Sequence, residues 1–379
     1  MTLDALTRAG LALLAVTCAL QAGADDFRYN QCNMDNGNNR STMTFVLPLG
    51  DYYVPRDVPV GTPIGKAFDL KAATNPEGLR VYCNREGAGS PGLPNPVFVS
   101  DVVALGKPYA GSLPAIGGHD LTGKVFHTSV PGVGIAMQLT NPYLEGGNSG
   151  NFETPTRLAP FRGTNFYEDP TLAGPALNNM GVFALLIKIG DIAPGQHAIV
   201  PDVLFEGSMM PAVPKAFTIA AAGTIRQAQC SLHPTDPVSA VPVQLGSWRN
   251  EDFSGPGSTT TAVPFTINLV DCESNAGSDN LGFATAHIKL EGTDGSTIID
   301  KDLGLVGLDS AATAQGVGIQ VLMSDATTPV ILGESVPITR LQQGNTQMHL
   351  NARLYQLPGS TAIKGGTTTG ALNFTVNYL

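Results

Sequence analysis

Charged residues are scarce in this chain. Lys, Arg, Asp and Glu make up only 14% of the sequence, and Trp248 is its one tryptophan. The formal net charge is −10, and no basic cluster is present, which argues against nucleic acid as a partner. After residue 24 no apolar run is long enough to cross a bilayer as a helix, so we expect no direct membrane span. Attachment to a surface would then require another protein.

Motifs for catalysis and metal binding are also missing. There is no Gly-x-Ser-x-Gly, no His-Glu-x-x-His and no phosphate-binding loop. No Cys-x-x-Cys or Cys/His spacing suggests zinc, so we expect neither a metal nor a cofactor. Glu168 and Asp169 could imitate a glycosidase pair, but adjacent residues of a strand point to opposite faces. We expect a protein that is not an enzyme, with a secreted glycan hydrolase as the less favoured alternative.

The first 24 residues have the pattern of a secretory signal peptide. Arg8 precedes an apolar run from Leu11 to Leu20, and Ala22-Gly-Ala24 matches a signal-peptidase site. Cys18 lies inside this segment, and we expect it to be removed with it. The chain is therefore expected to be exported.

Four cysteines remain in the exported chain: Cys32, Cys83, Cys230 and Cys272. An even number of cysteines in such a chain favours disulfide bonds. Three pairings are possible, and distance along the sequence favours Cys32 with Cys83 and Cys230 with Cys272. Each bridge would close a loop of roughly 40 to 50 residues and stabilise the fold by about 3–4 kcal/mol.

Short apolar or alternating runs recur between turn residues, and the chain is rich in glycine (44) and proline (28). This pattern, with almost no helical periodicity, predicts an all-β protein of two β-sandwich domains. The predicted strands include 42–49, 79–83, 97–105, 133–139, 182–189, 265–270, 285–290, 316–322 and 350–355. Two prolines in Gly207–Lys215 mark the predicted linker, 209–216, between domains at 25–208 and 217–379.

The last residues of the chain form an alternating pattern. Leu372, Phe374, Val376 and Tyr378 would lie on one face of a strand, and Gly366 lies fourteenth from the end. A strand that ends a chain in this way needs a neighbour on both edges, and no following segment supplies one. An ordinary closing strand is the plain alternative.

The C-terminal half resembles the pilin domain of the type 1 fimbrial family, which the chaperone–usher pathway assembles. The resemblance rests on the terminal pattern, on Gly223–Cys230, and on the alternating strand Val263–Cys272. It implies an incomplete immunoglobulin-like sandwich without its last strand, whose groove accepts a strand from a periplasmic chaperone and then from the next subunit. By this resemblance Cys230 and Cys272 form the family's bridge. The groove and chaperone contacts would fall on Gly366, Leu372, Phe374, Val376, Tyr378 and Leu379.

The N-terminal half is similar to the receptor-binding domain of two-domain fimbrial adhesins. The similarity is carried by Val125–Met137 and by Phe183–Gly195. Asp25–Cys32 leaves little room for a donor arm, which predicts a subunit at the tip of a fibre. The resemblance then implies a lectin-like sandwich that binds a receptor glycan, with an outer-membrane usher as a further partner. A minor pilin or adaptor without a ligand is the alternative.

Sugar sites combine an aromatic face with carboxylate and amide groups. Three clusters in the N-terminal half fit this description, although turn and packing roles would explain each of them as well. Their residues are Asn165, Phe166, Tyr167, Glu168 and Asp169; Asp51, Tyr52 and Tyr53; and His119 with Asp120.

Overall fold

The computed structural model describes residues 31–84, 97–146, 150–166, 174–232, 240–274 and 284–379. Within these ranges the chain is almost entirely β-structure, and a 3-10 turn at Asn250–Asp252 is its one helical element. The predicted all-β class is thus confirmed. The predicted signal peptide lies outside the described residues. None of the described helical segments is long and apolar enough to span a membrane.

The first fourteen strands lie in the N-terminal half. They are β1 (Gln31–Met34), β2 (Met43–Pro55), β3 (Pro63–Ala73), β4 (Val81–Asn84), β5 (Val97–Ala104), β6 (Phe126–His127), β7 (Val133–Leu139), β8 (Tyr143–Glu145), β9 (Phe152–Thr154), β10 (Phe161–Phe166), β11 (Ala176–Leu177), β12 (Met180–Lys188), β13 (Gln196–Ile199) and β14 (Val203–Met209).

A single long strand, β15 (Val213–Leu232), leads into the C-terminal half. The remaining strands are β16 (Val263–Glu273), β17 (Thr285–Thr293), β18 (Ile298–Asp300), β19 (Leu305–Val306), β20 (Val317–Leu322), β21 (Val336–Arg340), β22 (Gly344–Gln356) and β23 (Ala371–Tyr378). Each of the nine strands predicted by periodicity overlaps one of the observed strands.

Strands of the N-terminal half enclose one large apolar core. On one side β14, β5, β10, β9 and β8 form a sheet with β15, and β2 and β13 also pair with β15. On the other side lies the sheet β3-β12-β7-β6, and β1-β4-β11 form a third, small sheet. Phe45, Ile135, Val182 and Phe205 enter the core from both large sheets. Alternation along these strands produces the core because successive side chains point to opposite faces.

The C-terminal half is built from two sheets around a second apolar core. One sheet runs in the order β18-β19-β20-β22-β16-β15, and the other runs β21-β17-β23. Ile267 and Met348 enter the core from the first sheet, and Ile288 and Tyr378 enter it from the second. Two sheets that share one core in this way form a sandwich.

Strand β15 belongs to both halves. Its residues from Phe217 to Ala228 pair in parallel with β2, and its first residues pair with β14. Only its end, Gln229–Leu232, pairs with β16 of the C-terminal half. The apolar side chains of β15 enter the N-terminal core up to Ile225 and the C-terminal core from Ala228 onward.

The segment predicted as a linker, 209–216, has a different structure. Met209 and Val213 face each other across the turn that joins β14 to β15, and both are fully buried in the N-terminal core. The two prolines of this segment, Pro211 and Pro214, suggested a linker, and they lie in and beside the turn of this hairpin. The change from one core to the other comes later, between Ile225 and Ala228.

Both predicted disulfide bonds are present. Cys32 joins Cys83 across the β1–β4 pair, where the two residues are direct partners. Cys230 joins Cys272 across the β15–β16 pair. Each half of the chain therefore carries one bridge between neighbouring strands.

Candidate functional sites

The terminal strand β23 presents an apolar face to the C-terminal core. Leu372, Phe374 and Val376 are half-buried against this core, and Tyr378 is 3% exposed. Thr375, on the opposite face, is exposed. The apolar side chains predicted to share one face of the terminal strand do share a face in the structure. Three of the four are nevertheless partly exposed to water.

On one edge β23 is fully paired, and on the other it is largely open. It lies at the end of its sheet, and β17 is the one strand with which it pairs among the described residues. Ile288 faces Val376 and Leu290 faces Phe374 in this antiparallel register. An edge strand of this kind exposes a row of unpaired N–H and C=O groups and can accept a further strand.

A second stretch next to the same core has no sheet partner. Val241, Val243 and Leu245 alternate with exposed residues and pack against the C-terminal core. Residues 240–249 are nevertheless not part of any strand in the described structure. Trp248 lies near the end of this stretch, and its indole Nε1 donates to the Leu245 carbonyl over 2.7 Å. The stretch has the side-chain pattern of a strand without the hydrogen-bond ladder of one.

Tyr378 is fixed at the end of β23. Its hydroxyl donates to the Cys230 carbonyl over 3.0 Å, and the Arg56 guanidinium lies 4.8 Å from the centre of its ring. Burial raises the pKa of the Tyr378 phenol. A cation over a tyrosine face is a favourable contact, so Tyr378 is held by both halves of the chain.

Gly366 and Leu379 flank β23, and each has a defined environment. A side chain at Gly366 would collide with the backbone of Thr313 and Ala314, so close packing requires glycine here. The Leu379 carbonyl accepts from the Thr285 N–H over 2.6 Å, and the Leu379 N–H donates back over 3.1 Å. Pairing with β17 therefore continues to the final residue.

Of the first candidate sugar cluster, the structure describes only the beginning. Asn165 is fully buried, and its Nδ2 donates to the Asn151 carbonyl over 2.6 Å. Phe166 is the last residue of β10. Tyr167, Glu168 and Asp169 lie outside the described residues. An amide buried in this way satisfies a backbone group and is not presented to a ligand.

In the second cluster, the two tyrosines are used in packing. Tyr52 is 5% exposed and belongs to the N-terminal core, whereas Tyr53 packs against the C-terminal core. Only Asp51 is exposed. These residues lie where the two halves of the chain meet, opposite Thr224–Arg226 of β15.

His119 and Asp120 belong to the loop that covers the β3-β12-β7-β6 sheet. The His119 ring lies 5.0 Å from the Phe68 ring, centre to centre. The Asp120 carboxylate accepts from the Thr122 N–H over 2.9 Å, and this bond lowers its pKa. Both side chains have turn or packing partners. The three clusters lie on separate elements, and no group of His, Cys, Asp and Glu in the described residues could hold a metal ion.

Comparison with known proteins identifies the C-terminal half. Residues 219–379 match the family model described as fimbrial protein. The fimbrial-like protein SfmA of Escherichia coli is 31% identical over 164 residues, which are 42% of this chain and 84% of that protein. The S-fimbrial protein subunit SfaG of Escherichia coli is 32% identical over 139 residues, 36% of this chain and 69% of the relative.

This chain belongs to the fimbrial protein family. As a fimbrial protein it is a component of a pilus on the cell surface. The region matched by the family model contains the Cys230–Cys272 bridge and β23, and it begins within β15. The predicted resemblance of the C-terminal half to a pilin domain is confirmed at the level of the family.

Two solved structures are also similar to the fimbrial protein. The CupB6 tip adhesin of Pseudomonas aeruginosa aligns over 91% of this chain and 93% of its own, with 13% identity and a TM-score of 0.34. The P pilus rod subunit PapA aligns over 40% of this chain and 99% of its own, with 20% identity and a TM-score of 0.32. The family assignment therefore rests on the family model and on the sequence relatives.

Sequence reasoning missed two residues that contact β23 of this fimbrial protein and a third residue that holds them. Arg56 and Asp57 follow β2 and contact β23 from the N-terminal half. Lys188, at the end of β12, is 5% exposed and donates to the carbonyls of Arg56 and Val58. Lys188 lies in the Phe183–Gly195 motif. A lysine at the end of an otherwise apolar strand is the sequence feature that could have pointed to a buried, hydrogen-bonded ammonium group.

Proposed function

We propose that this fimbrial protein is a tip adhesin of a chaperone–usher pilus. The C-terminal half accepts a strand from a periplasmic chaperone and then from the next subunit, after export through the periplasm and the outer-membrane usher. The N-terminal half binds a receptor, which we take to be a glycan. The two functional domains meet within β15, at 225–228, because the apolar residues of β15 change cores there.

The observation that carries the proposal is the open edge of β23. Leu372, Phe374 and Val376 are half-buried against the C-terminal core, and in the described residues no strand lies on the side of β23 opposite β17. The unpaired stretch 240–249 packs its apolar side chains on the same core. A strand inserted along β23 would gain main-chain hydrogen bonds and would cover these side chains. Both terms favour binding, since buried apolar surface contributes about 25 cal/mol per Å².

Adhesin function is proposed for the N-terminal half because that half forms a core and a disulfide bond of its own. Residues 31–218 lie outside the matched region, yet they build most of a large core with its own disulfide bond. A half of this size is more than a spacer requires. The exposed residues Asp51 and Asp120 and the segment 167–169 are the parts of the predicted clusters left for ligand contact.

Phe374→Asp tests strand acceptance. The substitution places a charge on the floor of the proposed groove, where it would be unpaired once a strand is inserted, at a cost of several kcal/mol. We expect the variant to lose co-purification with the chaperone encoded for the same pilus. Thr375→Asp is the matched control, because it places the same charge on the exposed face of the same strand. Equal chaperone recovery with both variants contradicts the proposal.

Glycan binding by the mature chain tests the adhesin function. We expect retention on a glycan array by the chaperone complex of the mature chain and none by the complex of a chain that begins at residue 229. Binding by neither would favour an adaptor subunit without a ligand. Release of free sugar from the array would favour a hydrolase.

A further inference from the structure

The register of β23 determines which of its backbone groups face outward. Thr285 and Leu379 exchange both of their backbone hydrogen bonds, so they form a hydrogen-bonded pair of the antiparallel ladder. Such pairs recur at every second residue. The N–H and C=O groups of Leu372, Phe374, Val376 and Tyr378 therefore point away from β17, toward the open edge.

One end of this open edge is already occupied. The Asp57 N–H donates to the Tyr378 carbonyl over 2.9 Å, and the Tyr378 N–H donates to the Asp57 carboxylate over 2.8 Å. The Arg56 Nη2 also donates to the Val376 carbonyl, over 3.4 Å. Leu372 and Phe374 have no partner on this edge among the described residues. The N-terminal half therefore takes the place of a neighbouring strand only at the carboxyl-terminal end of β23.

The Arg56 and Asp57 side chains form a bidentate pair. The Arg56 Nε and Nη2 donate to the two carboxylate oxygens of Asp57 over 2.9 and 3.0 Å. Asp57 raises the pKa of the Arg56 guanidinium, chiefly through this hydrogen bond. The same guanidinium covers the Tyr378 ring. A bidentate pair of this kind is geometrically specific.

The Arg56–Asp57 pair is also anchored in the N-terminal half. The Lys188 Nζ donates to the carbonyls of Arg56 and Val58, each over 2.7 Å, and thereby holds the peptide segment on both sides of Asp57. The Arg56 N–H donates to the Ala228 carbonyl over 3.1 Å. Because Lys188 is buried at the end of β12, the position of the pair follows the position of the N-terminal core.

We propose that Arg56 and Asp57, positioned by Lys188, form a stop that sets where an inserted strand ends on β23. The inserted strand pairs with the free groups of Leu372 and Phe374 and ends before Tyr378, whose groups are already used. This inference rests on the proposed strand acceptance, because it concerns the register of the accepted strand. It makes the N-terminal half part of the acceptor site.

Amide hydrogen exchange on the mature chain tests the stop. In the wild type we expect the Tyr378 amide to be protected and the Leu372 and Phe374 amides to exchange fast. A synthetic peptide of alternating valine and threonine, added in excess, should slow Leu372 and Phe374 at least tenfold and leave Tyr378 unchanged. In Asp57→Ala the Tyr378 amide should exchange about tenfold faster, since it loses a bond to a carboxylate, and the peptide should restore its protection.

Two further variants separate the stop from a general loss of structure. Asp57→Asn keeps an acceptor oxygen and should retain most of the Tyr378 protection. Asp51→Ala removes an exposed carboxylate from the same segment of the chain and should change none of the three amides. A Tyr378 amide that exchanges as fast as Phe374 in the wild type, or that Asp57→Ala leaves unchanged, overturns the stop. A peptide that protects no amide of β23 in any variant contradicts strand acceptance instead. In that case the exchange rates of the Tyr378 amide without peptide, in the wild type and in Asp57→Ala, still show whether Asp57 protects it.

Discussion

The Tyr378 hydroxyl donates a hydrogen bond over 3.0 Å to the backbone carbonyl of Cys230. This bond crosses the C-terminal core, from β23 in one sheet to β15 in the other. Cys230 is also bridged to Cys272, so the end of the chain is tied to the disulfide-bonded strand pair. The open edge of β23 is therefore presented on a strand that is fixed at its carboxyl-terminal end.

Tyr378→Phe is expected to destabilise the mature chain by about 1 kcal/mol. The ring and its contact with Arg56 remain, but the Cys230 carbonyl loses its partner inside the core. Urea unfolding measures the difference in the free energy of unfolding. Tyr355→Phe is the control, since the Tyr355 hydroxyl has no hydrogen-bond partner among the described residues. An equal effect of the two substitutions would show that the bond to Cys230 is not the cause.

The free energy of unfolding should fall at alkaline pH. Burial raises the pKa of the Tyr378 and Tyr143 phenols above the ordinary value of about 10. The folded state then holds these protons more tightly than the unfolded state does. Their stabilisation is complete below about pH 10 and is lost as the pH rises through the folded-state pKa values. Urea unfolding between pH 8 and pH 11 should give a flatter decline for Tyr378→Phe than for the wild type.

Gly207→Ala is expected to destabilise the hairpin between β14 and β15. Gly207 and Phe217 are direct partners, and a methyl group at Gly207 would overlap the fully buried Phe217 ring. Overpacking of this kind costs about 1–3 kcal/mol. Gly365→Ala is the control, because a methyl group there meets nothing within 4 Å. Thermal unfolding should show a lower midpoint for Gly207→Ala and an unchanged midpoint for Gly365→Ala.

The N-terminal half should fold as residues 25–228 and fail to fold as residues 25–208. The shorter fragment lacks β15, so β2 loses the strand that it pairs with in parallel. The shorter fragment also lacks Phe217, Ile219 and Ile225, which belong to the N-terminal core. Circular dichroism and limited proteolysis of the two fragments measure the difference. A 25–208 fragment with a cooperative thermal transition would mean that β15 is dispensable and would support the boundary predicted from the sequence.

The sequence predicted the side-chain pattern of the terminal strand because that signal is local. The alternation of Leu372, Phe374 and Val376 identified the face of β23 that meets the core. The burial of Asn165 and Tyr52 could not be predicted, because a buried amide or tyrosine and an exposed one look the same in a sequence. Burial depends on the strands that cover these residues, and those strands lie far away along the chain.

By itself, the sequence determined the all-β class, both disulfide bonds and the alternation of the terminal strand. These features depend on periodicity and on cysteine spacing, which act over short stretches of chain. Only the tertiary structure decided that β15 serves two cores and that Arg56 and Asp57 occupy the end of the β23 edge. Arg56 and Val376 are 320 residues apart, and no local pattern encodes a contact over that distance. It arises because β2 and β15 run side by side and carry the Arg56–Asp57 pair to the terminal strand.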